Sequence, residues 1–101
     1  MKGEMITEKQ FASQIEGLFK LFGWKYYHTW NSWHSVKGFP DYVAIRGDRL
    51  LFIELKSEKG KLTEAQKEWY ISLSEVDDIE VYDWKPHQWE LIVGCLQKEI
   101  R

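Results

Sequence analysis

Residues 38–57, GFPDYVAIRGDRLLFIELKS, predict two neighbouring β-strands joined by a tight turn. The runs 41–46 and 49–56 are rich in β-branched, aromatic and leucine residues, and Gly47-Asp48 between them is typical of a hairpin turn. The second run begins with four apolar residues and ends in Glu-Leu-Lys. The charged side chains at the end of this apolar strand are therefore candidate functional residues.

Those charges are expected to meet across the hairpin. Side chains alternate along a strand, so Glu54 and Lys56 share one face. Counting back from the turn brings Asp41 opposite residues 54 to 55, which places the Asp41 and Glu54 carboxylates side by side. Two neighbouring carboxylates repel each other unless a cation lies between them. Because no Cys or His lies near them in the sequence, an oxygen-only site predicts Mg²⁺ or Mn²⁺ rather than Zn²⁺.

A divalent cation beside a lysine suits phosphodiester cleavage, because the cation can activate water while the ammonium stabilises charge on the phosphate. The simpler interpretation is a solvated strand end, with Pro40 fixing a turn before Asp41. Glu-x-Lys alone does not decide between the two. The joint pattern of Pro-Asp, Glu-x-Lys and then Lys-Leu-Thr-x-x-Gln at residues 61–66 favours the functional interpretation.

The rest of the chain predicts helices on both sides of this hairpin. Thr7 and Gln10 form a capping box before a helix that Gly23 ends, with Phe11, Ile15, Leu18 and Phe22 on its apolar face. A second capping box, Thr63 with Gln66, opens a helix at about 64–75, expected to bury Ala65, Trp69, Leu73 and Val76. Strands are expected at 24–30 and 79–84, a polar loop at 31–38, and a closing helix from Pro86 with Trp89, Ile92, Val93, Leu96 and Ile100 on its apolar face. The order is α-β-β-β-α-β-α, with a right-handed crossover from the third to the fourth strand.

Composition limits the class of protein. A chain of 101 residues predicts a single domain, 1–101, with one core. One cysteine, Cys95, excludes an internal disulfide and fits a reducing, cytoplasmic setting. No apolar run is long enough to span a membrane, and the first residues do not resemble a signal peptide. The net charge of −2 gives no overall attraction to nucleic acid, so phosphate binding would need a local basic patch.

These motifs resemble the VRR-NUC (virus-type replication-repair nuclease) domain of the PD-(D/E)xK nuclease superfamily. The matching segments are residues 38–41, 53–56 and 60–66, and the Thr7-Glu8-Lys9-Gln10 opening is similar to the family's first helix. The resemblance covers about residues 6 to 84 and points to the compact, stand-alone type found in phages. It implies a restriction-endonuclease-like α/β fold: an α-β-β-β-α-β core with a small mixed sheet flanked by helices, here with an extra C-terminal helix.

The resemblance also implies roles for individual residues. Asp41 and Glu54 would bind the metal together with the Leu55 carbonyl, and Lys56 would be the catalytic lysine. Gln66 would orient a water or touch the scissile phosphate, although spacing alone fits a plain capping residue equally well. Glu8 would hold a water at the metal, although the sequence alone also fits an N-terminal glutamate favoured by the helix dipole. Glu16 is its rival, nearer the middle of the helix.

Basic and aromatic residues supply a candidate DNA-binding surface. For about half of the basic residues, the alternative is an ordinary solvated side chain that makes no contact with DNA. Trp33, with Trp30 and His34, precedes Pro-Asp and is expected to stack on bases or to form core or dimer contacts. The residues expected to contact DNA are Lys37, Arg46, Arg49, Lys59, Lys61, Lys67 and Trp33.

Three functions follow from these features. The favoured one is a Mg²⁺- or Mn²⁺-dependent DNA endonuclease, a homodimer that prefers branched DNA such as four-way junctions. The surplus of aromatic residues would form an isologous interface, and no predicted helix is suited to reading a DNA groove. The alternatives are a non-catalytic nucleic-acid-binding module that keeps the nuclease fold, and a structural interaction protein. Endo- versus exonucleolytic action and DNA versus RNA stay open.

Overall fold

The computed structural model of the protein describes residues 5–30 and 36–98, and its helices and strands follow the predicted order. The elements are α1 (Glu8–Leu21), β1 (Lys25–His28), β2 (Tyr42–Arg46), β3 (Arg49–Leu55), α2 (Glu64–Ser74), β4 (Glu80–Trp84) and α3 (Trp89–Gln97), with a 3₁₀ turn over Pro86–Gln88 before α3. The outermost residues of several predicted strands, including Trp24 and Trp30 on either side of β1, lie outside the observed strands.

The strands form one mixed sheet in the order β1-β2-β3-β4. The first three strands are antiparallel, and β4 runs parallel to β3. A parallel neighbour needs a crossover, which α2 supplies between β3 and β4. The expected small mixed sheet with flanking helices and a further C-terminal helix is therefore confirmed.

One face of the sheet carries the hydrophobic core. Its side chains pack against α1 and α3, and the Trp24 indole donates a hydrogen bond to the Leu96 carbonyl at 2.8 Å, which fixes the end of α3. Phe19, which the sequence pattern did not single out, is fully buried, and Phe22 is only partly buried at the helix end. The buried residues of this core are Phe11, Ile15, Leu18, Phe19, Trp24, Tyr42, Ala44, Leu51, Ile53, Leu55, Trp84, Ile92 and Leu96.

The opposite face is covered only in part, by α2. The Phe39 and Trp69 rings meet edge to face at 5.0 Å, and Phe39 also contacts Phe52 of β3. The prediction that Ala65, Trp69, Leu73 and Val76 are buried is wrong: α2 contains no fully buried residue, and Val76 is 51% exposed beyond its end. The apolar side chains of α2 are only partly buried, because the helix covers only part of this face of the sheet.

The helix ends follow the predicted signals. Both capping boxes form, Thr7 with Gln10 and Thr63 with Gln66. Gly23 follows α1 with φ of 79°, a left-handed conformation that favours glycine. The closing helix becomes α-helical only at Trp89, and Ile100 lies outside the described residues. Within 5–30 and 36–98, no helix is long and apolar enough to cross a membrane.

Candidate active site

Asp41 lies immediately before β2 and is held by main-chain contacts. Because Tyr42 pairs with Ile53, one step outward brings Asp41 opposite Glu54, as the count from the hairpin turn predicted. The Asp41 carboxylate accepts a hydrogen bond from the Leu55 amide at 2.8 Å, and the Asp41 carbonyl accepts one from the Thr29 amide at 2.8 Å. The carboxylate is therefore fixed at the C-terminal end of β3.

Glu54 is a buried carboxylate beside Asp41. It is only 5% exposed, and one of its oxygens accepts a hydrogen bond from Nε2 of Gln66 at 2.9 Å. Burial raises the pKa of Glu54 to about 9, with further contributions from the charge of Asp41 and a hydrogen bond with it. The positive charge of Lys56 lowers the pKa of Glu54, but this single ammonium does not bring the pKa back to the ordinary range.

Gln66 caps α2 and reaches the site at the same time. Its Oε1 accepts from the Thr63 amide at 2.8 Å, its own amide donates to the Thr63 hydroxyl at 3.1 Å, and its Nε2 donates to Glu54. The capping interpretation is therefore confirmed, and the same side chain also reaches Glu54. Its contact with a water or with the scissile phosphate stays a prediction. The capping box orients the amide so that its NH₂ group points to the buried carboxylate.

Gly38 allows the Pro-Asp loop to approach α2 closely. Its φ is 83°, and a Cβ at this position would lie 2.4 Å from the Ala65 carbonyl carbon and 2.7 Å from the Gln66 nitrogen. Only glycine fits both constraints. The sequence pattern included Gly38 without giving it a physical role, because its neighbour lies 27 residues further along the chain.

Lys56 and Glu8 both act electrostatically on Glu54. Lys56 follows β3 on the same side of the sheet as Glu54, and its amide donates to the Trp84 carbonyl at 3.0 Å. The loop after it is tied to the start of α3, since Glu58 contacts Nδ1 of His87 at 2.8 Å and its carbonyl accepts from Nζ of Lys85 at 3.1 Å. The negative charge of Glu8 adds to the factors that raise the pKa of Glu54.

Glu16, the rival of Glu8, faces the core side of the sheet. Its carboxylate accepts hydrogen bonds from the hydroxyls of Tyr42 and Tyr26, the latter at 3.3 Å, and lies 3.8 Å from Nδ1 of His28. Burial and this carboxylate raise the pKa of the Tyr42 hydroxyl, so Tyr42 stays protonated and donates. Both oxygens of Glu16 are thereby occupied by its neighbours.

Arg46 and Arg49 lie at the hairpin end of the sheet, about 16 Å from Glu54 at ~3.3 Å per residue. Arg46 donates to the Phe22, Leu96, Gln97 and Lys98 carbonyls, while Arg49 is 5% exposed, pairs with Glu80 at 2.6 Å and donates to the Cys95 and Lys98 carbonyls. Both guanidinium groups lie 5.0 Å from the centre of the Trp24 ring. They stabilise the ends of α1 and α3, and the structure does not bring them to the predicted DNA surface.

The other predicted DNA contacts remain near the site. Lys37 precedes Gly38, and Lys59 and Lys61 precede α2, so their chain positions place them around the N-terminus of α2. Lys67 lies in α2 itself, with its ammonium 3.4 Å from the Glu64 carboxylate. All four lysines are exposed. Trp33 and His34 lie outside the described residues.

The side chains around Glu54 provide two carboxylates, not three, for a metal. Within the described ranges, no group of three or more His, Cys, Asp or Glu side chains is arranged to hold a metal ion. The predicted donor set requires only Asp41, Glu54 and a main-chain carbonyl. Ionisation of both carboxylates beside a single lysine would leave excess negative charge, and hard oxygen donors of this kind fit Mg²⁺ or Mn²⁺.

Carboxylates from two adjacent strand ends, with a lysine two residues beyond the second, place the chain in the class of PD-(D/E)xK-type nuclease folds. The family model described as the VRR-NUC domain matches residues 5–98, nearly the whole chain. The chain therefore belongs to the VRR-NUC family of nucleases. No curated protein and no solved structure shows significant similarity to it.

Proposed function

We propose that this protein is a divalent-metal-dependent DNA endonuclease that acts preferentially on branched DNA. The observation that carries the proposal is the buried Glu54 carboxylate, which lies opposite Asp41, accepts a hydrogen bond from Gln66 and interacts electrostatically with Lys56. Membership of the VRR-NUC family supports the nuclease activity.

Asp41, Glu54 and the Leu55 carbonyl would hold the metal. A bound Mg²⁺ or Mn²⁺ ion supplies polarisation of a phosphate oxygen and a lowered pKa for water. The Leu55 amide and the Gln66 NH₂ group each donate to one of the two carboxylates, which fixes the orientation of the donor oxygens. This preorganisation lowers the cost of assembling a site from two like charges.

Three further side chains have distinct proposed roles in cleavage. The Lys56 ammonium stabilises negative charge that develops on the scissile phosphate. Gln66 orients Glu54 and approaches the phosphate from the N-terminus of α2, where the helix dipole also favours an anion. Glu8, whose negative charge acts on Glu54, would hold a water at the metal. Lys37, Lys59, Lys61 and Lys67 bind the DNA backbone on either side.

The preference for branched DNA is proposed together with a homodimer. Apolar side chains remain exposed on the face of the sheet that α2 leaves open, including Tyr27 at 58% and Ile45 at 46%. A two-fold interface between such faces would present two active sites with opposed polarity, which suits paired cuts across a junction. The small size of the domain favours recognition of DNA shape over base sequence.

The deciding experiment incubates purified protein and Mn²⁺ with labelled four-way junction, flap, single strand and linear duplex. Asp41→Ala, Glu54→Ala and Lys56→Ala should each abolish cutting, chelator should abolish it in the wild type, and Ca²⁺ should not restore it. Full activity in Asp41→Ala would contradict the site. Binding of DNA without cutting would support the non-catalytic module instead.

Specificity and assembly are tested separately. Equal cutting of junction and duplex, or a monomer at micromolar concentration in light scattering, would contradict the junction preference or the dimer while leaving the nuclease assignment intact.

A further inference from the structure

Asp83 lies beside Glu54 in the sheet, although no motif identifies it. In the parallel pair of β3 and β4, Glu54 is the register partner of Asp83. Paired residues of neighbouring strands project to the same face, so Asp83 extends the row formed by Asp41 and Glu54. Lys56 and Lys85 each lie two residues further along, on this same side.

The surroundings of Asp83 are unusual for a structural carboxylate. Its Oδ1 is buried and has no hydrogen-bond partner within the described part of the chain. Burial raises the pKa of Asp83, while Lys85 and Lys56 lower it. A buried acceptor without a partner is costly to the fold, so its presence calls for an explanation.

The two lysines near Asp83 differ in the contacts that their ammonium groups make. Nζ of Lys85 already donates to the Glu58 carbonyl at 3.1 Å. Within residues 5–30 and 36–98, Nζ of Lys56 makes no hydrogen bond and no ion pair, although its positive charge lowers the pKa of both Glu54 and Asp83. Glu54, however, is the carboxylate proposed to hold the cation. Asp83 is then the counter-charge that remains for Lys56.

We propose that Asp83 is a positioning residue whose negative charge keeps the Lys56 ammonium on the catalytic face, between the Glu54 carboxylate and the end of β4. The inference rests on the proposed nuclease function and on the register of β3 and β4. Asp83 itself touches neither metal nor substrate. It acts through Lys56, by keeping a long and otherwise mobile side chain aimed at the phosphate.

The test compares Asp83→Asn with Asp48→Asn, an exposed aspartate in the hairpin turn at the opposite end of the sheet. Cleavage of a four-way junction is measured with Mn²⁺. Asp83→Asn should lower kcat about tenfold, the size expected for loss of one interaction with a charged group, with KM unchanged. Asp83→Glu, which keeps the carboxylate, should recover part of the rate. Asp48→Asn should match the wild type.

Two measurements without cleavage separate positioning from other roles. Mn²⁺ affinity and stoichiometry by calorimetry should be the same in Asp83→Asn and wild type, and thermal unfolding should not shift downward. An unchanged kcat, a loss confined to KM, or a lost metal equivalent would each overturn the inference while wild-type cleavage upholds the proposed function. A wild type that cuts no DNA would contradict the proposed function, and this inference with it.

Discussion

Glu54 combines burial with a like-charged neighbour, and this affects the stability of the metal-free protein. Its pKa is raised from 4.5 to about 9, so the folded state binds a proton that the unfolded state releases between those values. Stability from this group is therefore present below pH 4.5 and is lost as pH rises toward 9. Addition of metal should restore stability at high pH.

Glu54→Gln should remove this dependence. In chelator, the free energy of unfolding of Glu54→Gln relative to wild type should increase by about 1–3 kcal/mol between pH 5 and pH 8. Urea denaturation at the two pH values measures the change. Glu90→Gln, an exposed change in α3, is the control and should differ from wild type equally at both. A constant difference for Glu54→Gln would contradict the raised pKa.

Glu8 and Glu16 are separated by the kind of loss that each substitution should cause. Glu8 is exposed in the first turn of α1, so Glu8→Gln should reduce cleavage about tenfold and change stability by less than ~0.5 kcal/mol. Glu16 accepts two tyrosine hydroxyls, so Glu16→Gln should cost about 1–2 kcal/mol and leave the rate per folded molecule unchanged. Chemical denaturation and single-turnover cleavage measure both. The reverse pattern would assign the catalytic carboxylate to Glu16.

At the scale of an element, Gln66 connects the N-terminal cap of α2 to the Glu54 carboxylate. Gln66→Ala should lower cleavage and also cost about 1 kcal/mol of stability, because the side chain both caps the helix and contacts Glu54. Gln10→Ala removes the equivalent cap of α1, which has the same Thr-x-x-Gln form. It should show a similar stability loss with cleavage retained. Equal activity in the two variants would mean that Gln66 is only a cap.

The approach of the Pro-Asp loop to α2 depends on one residue without a side chain. Gly38→Ala would force a Cβ into the backbone of Ala65 and Gln66, so it should destabilise by about 2 kcal/mol or more and reduce cleavage. Gly23→Ala has a similar positive φ with nothing within 4 Å of the new Cβ, and should cost about 1–2 kcal/mol with activity intact. Similar losses in thermal unfolding and activity would contradict the contact.

How far the sequence predicts these elements depends on the distance between the interacting residues. Both capping boxes and the hairpin register follow from contacts a few residues apart, and both are confirmed. The burial expected for α2 is wrong, because periodicity shows which side of a helix is apolar but not how much sheet lies beneath it. The second role of Gln66 needed the position of Glu54, 12 residues away in sequence.

At the scale of the whole molecule, the two ends of the sheet carry different sets of charged residues. One end gathers Asp41, Glu54 and Lys56. The other end is held by Arg46 and Arg49, whose partners lie 24 to 52 residues away. From the sequence alone, arginines beside a hairpin turn resemble DNA contacts. Their actual acceptors, the carbonyls at the end of α3, are too far away in the sequence to be predicted. The sequence therefore grouped residues from the two ends of the sheet in one predicted DNA-binding surface.

This separation predicts that some basic residues bind DNA phosphates while others stabilise the fold. If Lys59 and Lys61 bind phosphate, the double change to Gln should weaken DNA binding and reduce the slope of log K against log salt by about 2, near 0.9 for each contact. Lys20→Gln, an exposed change in the last turn of α1 and far from Glu8, should leave the slope unchanged. Arg46→Gln should also leave it unchanged but should lower stability by about 1–3 kcal/mol, since it strips donors from several carbonyls. Fluorescence anisotropy at several salt concentrations, in Ca²⁺ to prevent cutting, measures the slopes, and urea denaturation measures stability. An unchanged slope in the double lysine variant would contradict phosphate binding by these lysines. A reduced slope in Arg46→Gln would indicate that the DNA-binding surface lies at the hairpin end of the sheet.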